Sequence, residues 1–383
     1  MQSVIKLIER VNDAKLPLNE RYPELLDEGR INILFVSPFF NKHGLYRMIL
    51  PAMELKETGR FSCIVTNTLQ EDHTKVIDDF HVKMIPDLIR WADYIVFQAN
   101  GENMDKFILN IKSVNPKVKI VLDIDRNYHA LNTNNYATKK YTISRLRNLE
   151  KNLTLVDFSL YPDWVTKDFY EKKVGVDINT VIVPNLLSPF QFEGISAIQE
   201  VPTKDKKLRV LLMADQDDFD DINSFRDTIN QVQVRVPEAK IHVLGNSISF
   251  DNKNPLRRVI YAGVKYRDMG EYYSLIKRMN PHVAIIPLKK QQFFRNYYKV
   301  LELGAFGIPV VTMNEYPYNH IFKKDLHLLL AGQKKSFVEG VRTLVDDTEL
   351  HTGISQRIKS FVEGKYTWNN PAMAQAWIDA FSK

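Results

Sequence analysis

The sequence is nearly devoid of cysteine, because Cys63 is the only one among its 383 residues. A single cysteine cannot form a disulfide within the chain, so the class of small, disulfide-stapled secreted domains is excluded. The opening residues, MQSVIKLIER, carry charges where a secretory signal would be apolar. Together these two observations predict a cytoplasmic protein.

Long apolar runs are lacking as well. The most hydrophobic stretches, such as INILFV and VAIIPL, are far shorter than the roughly 20 residues that cross a bilayer as a helix. We therefore expect at most peripheral contact with a membrane. The sequence also shows neither internal repeats nor low-complexity tracts, and its length favours two domains of ordinary size.

The sequence has no extreme charge balance. Its formal net charge is +6, and the excess of basic residues lies after Glu200. This moderate bias suits a domain that binds a phosphorylated ligand, and it is weaker than that of a dedicated nucleic-acid-binding protein. A solvated basic surface without a partner explains the charge equally well.

The sequence does contain a regular alternation of short apolar strands with helical segments. Six predicted strands come first, in RINILFVSPFF, FSCIVTN, DYIVFQAN, KIVLDID, DFSLYP and NTVIVPN. Five more follow, in LRVLLMA, AKIHVLG, RVIYAG, VAIIPL and IPVVTM. Strands that alternate with helices pair in parallel through right-handed crossovers. The pattern therefore predicts the α/β class, with two Rossmann-like parallel sheets.

The same pattern predicts the domain boundaries. Residues 188–207 lose the alternation and end in charged residues, so we interpret them as a linker between domains at residues 1–187 and 208–368. Residues 369–383 include an Asn-Asn-Pro helix start, and we expect this last helix to cross back and pack on the first domain. Because ligands bind at the carboxyl ends of parallel strands, the site is expected in a cleft between the two domains.

The segment YYKVLELGAFGIPVV places the carboxylate of Glu302 in an otherwise apolar helix. The spacing predicts a helix over Tyr297–Phe306, which Gly307 caps and Pro309 prevents from continuing. A carboxylate is costly to bury unless hydrogen-bond donors reach it, and the two vicinal hydroxyls of a ribose are suitable donors. A structural ion pair with Lys299 or another cation is the alternative, and the residues alone leave both interpretations open.

The start of the same helix is suited to binding phosphate. Backbone N–H groups near Asn296 and Tyr297 have no partner within a helix that begins there, and they carry partial positive charge. Arg295 and Lys299 add two full positive charges. One helix is thus predicted to hold both the ribose and the diphosphate of a nucleotide.

The order NYYKVLELGAFGIPVV resembles the donor-site segment of glycosyltransferases with the GT-B fold, of the large retaining family 4 type. In that segment a Lys and, three residues later, a Glu precede small residues and Gly-x-Pro-Val-Val. Four further segments are similar to family segments in the same order: FFNKHGLYRMILPAMEL, KIVLDIDRN, VIVPNLL and IYAGVKYRDMGEYYSLIKRMNPHVAIIPL. The last of these resembles the strand, loop and helix that recognise the nucleobase, which implies a nucleotide contact for Val264 and Lys265.

The resemblance implies an enzyme that transfers a hexosyl or pentosyl group from a nucleotide diphosphate sugar, a UDP-sugar above all, to a hydroxyl acceptor. It also implies retention of configuration without a metal ion or a tightly bound cofactor, because protein cations stabilise the departing diphosphate. Two positions depart from the family pattern. Phe294 stands eight residues before Glu302, where many retaining members have an acid, and MADQDDFDDINSF replaces a Gly-Arg segment. The donor phosphates are therefore expected to depend more on Arg295 and Lys299.

In the first domain, candidate site residues follow predicted strands. Gly44 lies in the loop after the first strand and would let the backbone approach the transferred sugar closely. Arg47 is predicted either to clamp a phosphate or acceptor anion, or to lie on the surface at a helix start. Asp125 and His129 follow the fourth strand and are predicted to be catalytic, although a lone histidine in such a place is more often an ordinary polar loop residue.

A basic segment with interleaved tyrosines runs from Lys139 to Lys151. We interpret this segment as a solvated amphipathic helix, and the alternative is a surface for a polyanion such as DNA, with amines that contact phosphates and rings that stack on bases. The aspartates in MADQDDFDDINSF lack the glycine and the distal glutamate of a calcium loop. We interpret them as an acidic helix start and expect no metal site.

Three functions follow from these observations. The first, which we prefer, is transfer of a sugar to a glycan or lipid-linked acceptor in cell-envelope synthesis. The second is DNA modification at hydroxymethylated bases, because certain phage DNA-modifying glucosyltransferases share the fold, and the protein would then act in the host cytoplasm. The third is a GT-B binding subunit without catalytic activity, which the missing acid at Phe294 suggests.

Overall fold

The computed structural model describes residues 1–38, 40, 44–69, 84–99, 101–130, 141–175, 178–193, 208–214, 219–245, 259–263, 269–288 and 297–382. Within it the chain forms two compact units. The first consists of Met1–Tyr128, Tyr141–Gly194 and Thr367–Lys383, and the second of His129–Lys140 and Ile195–Tyr366. The predicted linker begins with a short helix, Pro189–Phe192, and its residues 194–207 lie outside the described ranges.

The first unit contains a six-stranded parallel sheet. Its strands are β1 Ile31–Val36, β2 Phe61–Thr66, β3 Tyr94–Gln98, β4 Lys119–Asp123, β5 Phe158–Tyr161 and β6 Thr180–Ile182. Their spatial order is β2-β1-β3-β4-β5-β6, so the order reverses beside β1. Every residue of β2, β3 and β5 is buried, as expected for a parallel sheet that helices cover on both faces.

Helices of the first unit lie at Gln2–Asn12, Leu18–Arg21, Leu50–Glu57, Pro86–Trp91, Asp105–Val114, Ile143–Leu155, Trp164–Val174, Pro189–Phe192 and Pro371–Ala380. A π-helical turn at Leu45–Ile49 precedes the Leu50–Glu57 helix, and 3-10 turns lie at Pro23–Leu26 and Tyr128–Ala130. In the described ranges, no helix is long and apolar enough to cross a bilayer.

The second unit contains another six-stranded parallel sheet. Its strands are β7 Arg209–Ala214, β8 Lys240–Gly245, β9 Val259–Gly263, β10 Val283–Ile286, β11 Val310–Met313 and β12 Leu329–Ala331. Their order is β12-β11-β10-β7-β8-β9, so the chain reverses direction across the sheet between β7 and β10. Helices lie at Phe219–Ser224, Arg226–Arg235, Met269–Met279, Tyr298–Ala305, Tyr318–Ile321, Lys334–Asp346 and Thr348–Lys365.

These two sheets confirm the predicted α/β class and its two Rossmann-like parallel sheets. All eleven predicted strand segments contain a strand in the structure. The strand β12 is an addition that the sequence pattern does not predict.

The last helix packs entirely within the first unit. Asn370 caps it by accepting hydrogen bonds from the backbone N–H groups of two residues in its first turn. The Trp377 indole N–H donates to the Pro184 carbonyl oxygen over 3.0 Å, and the Phe381 ring lies 5.3 Å, centroid to centroid, from that of Tyr94. Since Trp377 and Phe381 are both fully buried, the C-terminal helix contributes to the core of this unit.

Candidate functional site

The Tyr298–Ala305 helix is the element that follows β10, beside the point where the strand order of the second sheet reverses. Ligands of open parallel sheets bind outside the carboxyl ends of the strands at such a point. The helix ends as predicted. Gly307 adopts a left-handed φ of 64°, its N–H donates to the Gly304 carbonyl, and the Ile308 N–H donates to the Leu303 carbonyl.

This helix is held closely against the Thr348–Lys365 helix. A Cβ atom added at Gly304 would lie 2.7 Å from a methyl carbon of Val362 and 2.9 Å from a side-chain carbon of Ile358. The Ser355 hydroxyl donates to the carbonyl oxygen of Gly307 at the end of the helix. Small residues at positions 304 and 307 therefore fix the position of the two charged side chains that the helix carries, Lys299 and Glu302.

The carboxylate of Glu302 is fully buried, and the structure identifies two of its donors. The Tyr272 hydroxyl donates to Oε2 and the Tyr273 hydroxyl to Oε1, each over 3.0 Å. Both tyrosines belong to the Met269–Met279 helix and are themselves buried. The sequence alone suggests a ribose or a cation as the source of donors and does not reveal this tyrosine pair. The adjacent tyrosines in GEYYSLIK were its only signal.

Two other predicted residues of this helix lie in the described part of the chain. Lys299 is 8% exposed and lies nearly one turn before Glu302, so most of this residue is shielded from water. Tyr297 is the residue at which the helix begins, and its ring packs edge-to-face on Tyr366 with centroids 5.8 Å apart. The Tyr297 side chain packs in the core. The phosphate contact predicted at the helix start therefore involves the backbone N–H groups and not this side chain.

Several predicted residues lie outside the described ranges. These are Arg295 and Asn296 at the helix start, Phe294 before them, Val264 and Lys265 in the nucleobase segment, the aspartates 215, 217 and 218, and Lys139 and Lys140. Their predicted roles stay predictions.

In the first unit, the prediction that Arg47 clamps a ligand anion or lies on the surface is wrong. Arg47 is fully buried, and its Nη2 lies 2.5 Å from Oδ1 of Asp123, which is also fully buried. Its Nη1 donates to the Val183 carbonyl oxygen over 2.8 Å and to Oδ1 of Asn185 over 3.0 Å. The guanidinium also lies 4.8 Å from the ring centroid of Trp377. Arg47 therefore connects the ends of β4 and β6 with the C-terminal helix.

The electrostatics of this buried pair involve two opposing effects. Burial raises the pKa of the Asp123 carboxyl to about 6, although the adjacent Arg47 guanidinium lowers it. The nearby Asp125 carboxylate, like burial, raises the pKa of Asp123. Three hydrogen bonds from Arg47 reach the carboxylate and offset part of the cost of burying it.

Asp125 and His129 lie in the segment that follows β4. Asp125 is buried, accepts a hydrogen bond from the Tyr128 hydroxyl, and lies 3.0 Å from Nε of Arg126. Burial raises the pKa of Tyr128 well above its usual value, so the tyrosine acts here as a hydrogen-bond donor. His129 lies in the 3-10 turn and is half-buried. Gly44 is buried immediately before the π-helical turn that carries Arg47.

The basic helix Ile143–Leu155 carries cations that already have acidic neighbours. Arg145 lies 2.5 Å from Oε1 of Glu102, and Lys151 forms an ion pair with Asp105. A Cβ atom at Gly101 would lie 2.3 Å from the Cβ of Arg145, so the helix packs tightly on this segment. Within the described ranges, no three His, Cys, Asp or Glu side chains are arranged to hold a metal ion.

A family model described as "Glycosyl transferase-like" matches residues 224–376, which include the helix of Lys299 and Glu302. The chain has the GT-B fold and contains a glycosyltransferase-like domain. This domain includes β8 to β12 and both tyrosines that bond to Glu302. A search of curated protein sequences gave no match.

Solved structures share this GT-B fold at low sequence identity. Sucrose-phosphate synthase from Thermosynechococcus elongatus superposes with a TM-score of 0.64 at 11% identity, over 92% of this chain and 100% of that one. HepE from Anabaena, solved with UDP-glucose, gives 0.61 at 10% identity, over 92% and 100%. TarM from S. aureus gives 0.58 at 13% identity over 79% of this chain, which spans 59% of the length of TarM.

Proposed function

We propose that this protein transfers a sugar from a UDP-sugar to a hydroxyl group of a glycan acceptor of the cell-envelope type, with retention of configuration and without a metal ion. One observation carries the proposal. The segment that matches the glycosyltransferase-like model includes a helix at the reversal point of a parallel sheet, and this helix presents a lysine and a fully buried glutamate. The neighbours solved with UDP-glucose or with UDP support the choice of donor.

In this proposal the second unit binds the donor. Glu302 accepts hydrogen bonds from the ribose hydroxyls, since a carboxylate has about four acceptor sites and each tyrosine hydroxyl uses one of them. Lys299 and Arg295 neutralise the diphosphate, together with the backbone N–H groups at Asn296 and Tyr297. Val264 and Lys265 contact the nucleobase.

The first unit supplies the acceptor side in the same proposal. Gly44 allows close approach to the transferred sugar and Asp125 contributes to catalysis, together with His129, which begins the His129–Lys140 segment of the second unit. The Asp125 carboxylate accepts one hydrogen bond from the Tyr128 hydroxyl and another from Nε of Arg126, so it is held in one orientation. Catalysis then depends on positioning the acceptor hydroxyl and on stabilising the leaving diphosphate by fixed cations.

Calorimetry with UDP and the Glu302→Ala variant tests the donor site. We expect the variant to bind UDP more weakly by roughly 1.5–3 kcal/mol, the value of a hydrogen bond to a charged group. Glu339→Ala, which removes an exposed glutamate of the Lys334–Asp346 helix, should leave the affinity unchanged. Native mass spectrometry with UDP-sugars, followed by an assay of their hydrolysis, identifies the donor. A wild-type protein that binds no UDP-sugar contradicts the proposal, and one that binds without hydrolysis or transfer is a binding subunit.

Salt dependence distinguishes the glycan acceptor from DNA. If the acceptor is DNA, the logarithm of the affinity should fall with the logarithm of the salt concentration, with a slope of about −0.9 for each phosphate contact. Arg145 and Lys151 are paired with acids. We therefore expect this protein to bind duplex DNA with hydroxymethylated bases no more tightly than an unrelated protein of equal charge does. Replacing Lys140, Arg145 and Arg147 together by Gln should then leave the slope unchanged. A slope that flattens by about three, with sugar transfer to the DNA, would establish the DNA acceptor instead.

A further inference from the structure

Tyr272 and Tyr273 are adjacent on one helix, yet both hydroxyls reach the same carboxylate. Side chains of neighbouring helical residues diverge by about 100° around the axis, so they rarely share a partner. Here the two rings lie 5.1 Å apart, centroid to centroid, at an interplanar angle of 76°. One ring therefore reaches Oε2 and the other Oε1 of Glu302, each over 3.0 Å.

Two donors on different oxygens do more than satisfy a buried charge. The terminal torsion of a glutamate side chain has a broad, weakly restricted distribution, so a carboxylate with a single donor still rotates. With one hydroxyl on each oxygen, the plane of the carboxylate is fixed relative to the Met269–Met279 helix. The burial of all three side chains, which are at most 4% exposed, keeps water from competing for these bonds.

We propose that Tyr272 and Tyr273 are positioning residues, which hold the Glu302 carboxylate in the orientation that accepts the 2′- and 3′-hydroxyls of the donor ribose. The inference rests on the proposed function, because it requires a nucleotide at Glu302. A carboxylate with a fixed plane offers its further acceptor sites in fixed directions, and a pair of vicinal hydroxyls matches such directions. The tyrosine pair thus sets the preference of the site for ribose over 2′-deoxyribose.

The two tyrosines also connect two elements of the proposed donor site. Their helix follows β9 and the segment with Val264 and Lys265, whereas Glu302 lies on the helix that follows β10. The Tyr273 ring additionally packs near Phe306, at the end of the Glu302 helix, with centroids 6.4 Å apart. Removing a hydroxyl while keeping the ring preserves this packing and removes one of the two hydrogen bonds that orient the carboxylate.

The test is a calorimetric titration of UDP and of 2′-deoxy-UDP into the wild-type protein and into Tyr272→Phe, Tyr273→Phe and the double variant. We expect each single variant to weaken UDP binding roughly tenfold. This ratio corresponds to the lower end of the free-energy range for a hydrogen bond to a charged group. Binding of 2′-deoxy-UDP should change much less, so the ratio of the two affinities should fall. Tyr22→Phe is the matched control. Tyr22 is buried in the first unit with its hydroxyl 3.0 Å from that of Thr66, and its removal should change neither affinity.

Three outcomes separate the possibilities. If the wild-type protein prefers UDP and the phenylalanine variants keep that preference, the tyrosines serve stability alone and the inference is wrong. If a variant loses affinity equally for both nucleotides, the loss does not act through the ribose, which also overturns it. If the wild-type protein binds neither nucleotide, the proposed function fails first. Thermal unfolding of each variant shows whether it folds, and the single variants decide the question if the double variant does not.

Discussion

Replacing Arg47 by methionine is expected to destabilise the protein by about 3–5 kcal/mol, the cost of leaving one partner of a buried ion pair without the other. The guanidinium is fully buried, and without it the Asp123 carboxylate loses three hydrogen bonds. The Val183 carbonyl and the Asn185 side chain each lose a donor in the same substitution. Urea unfolding followed by fluorescence measures the change in the free energy of unfolding.

The pH dependence of this loss has a definite sign. The pKa of Asp123 in the folded protein is about 6, above its ordinary value, so protonation favours the folded state as the pH falls through that value. The variant has no guanidinium to stabilise the carboxylate, and its Asp123 is protonated even more readily. The destabilisation should therefore be smallest and nearly constant below about pH 6, and it should grow as the pH rises above that value.

Two further variants serve as controls for Arg47→Met. Combining it with Asp123→Leu should recover much of the stability, because replacing a buried ion pair by apolar side chains is often neutral. Lys172→Met removes an exposed cation from an ion pair with Asp168 and should have no measurable effect. An Arg47→Met variant as stable as the wild type at neutral pH would show that the pair contributes nothing.

The sequence predicted the strands well because parallel strands are buried on both faces and read as short apolar runs. It missed β12 because three residues, Leu329–Ala331, are too few to give a period. The helix of Glu302 was predicted with its cap, since Gly307 and Pro309 are local signals whose effect depends on their immediate neighbours.

The partners of charged side chains could not be predicted in the same way. Arg47 and Asp123 are 76 positions apart, and Tyr272 and Glu302 are 30 apart, so both pairs exist only after the sheets have formed. From the sequence alone, an arginine at the start of a helix is predicted to lie on the surface, because its neighbours in space are unknown. The sequence indicated correctly that the Glu302 carboxylate needs donors, which follows from solvation, and left their identity to tertiary packing.

Replacing Lys299 by alanine is expected to lower kcat for sugar transfer by about 10²–10³, the effect of removing one preorganised group that stabilises charge in a transition state. Lys299 is 8% exposed on the helix that carries Glu302, so its charge lies in a partly shielded environment where it interacts more strongly than in water. The charge of the diphosphate increases as the sugar leaves, so the loss should fall on kcat rather than on affinity for UMP. Steady-state kinetics and calorimetry with UMP measure the two effects. Lys335→Ala, which removes an 81% exposed lysine, is the control and should leave both unchanged. Equal losses of kcat and of uridine affinity would show that Lys299 supports the fold of the site and does not act on the departing phosphates.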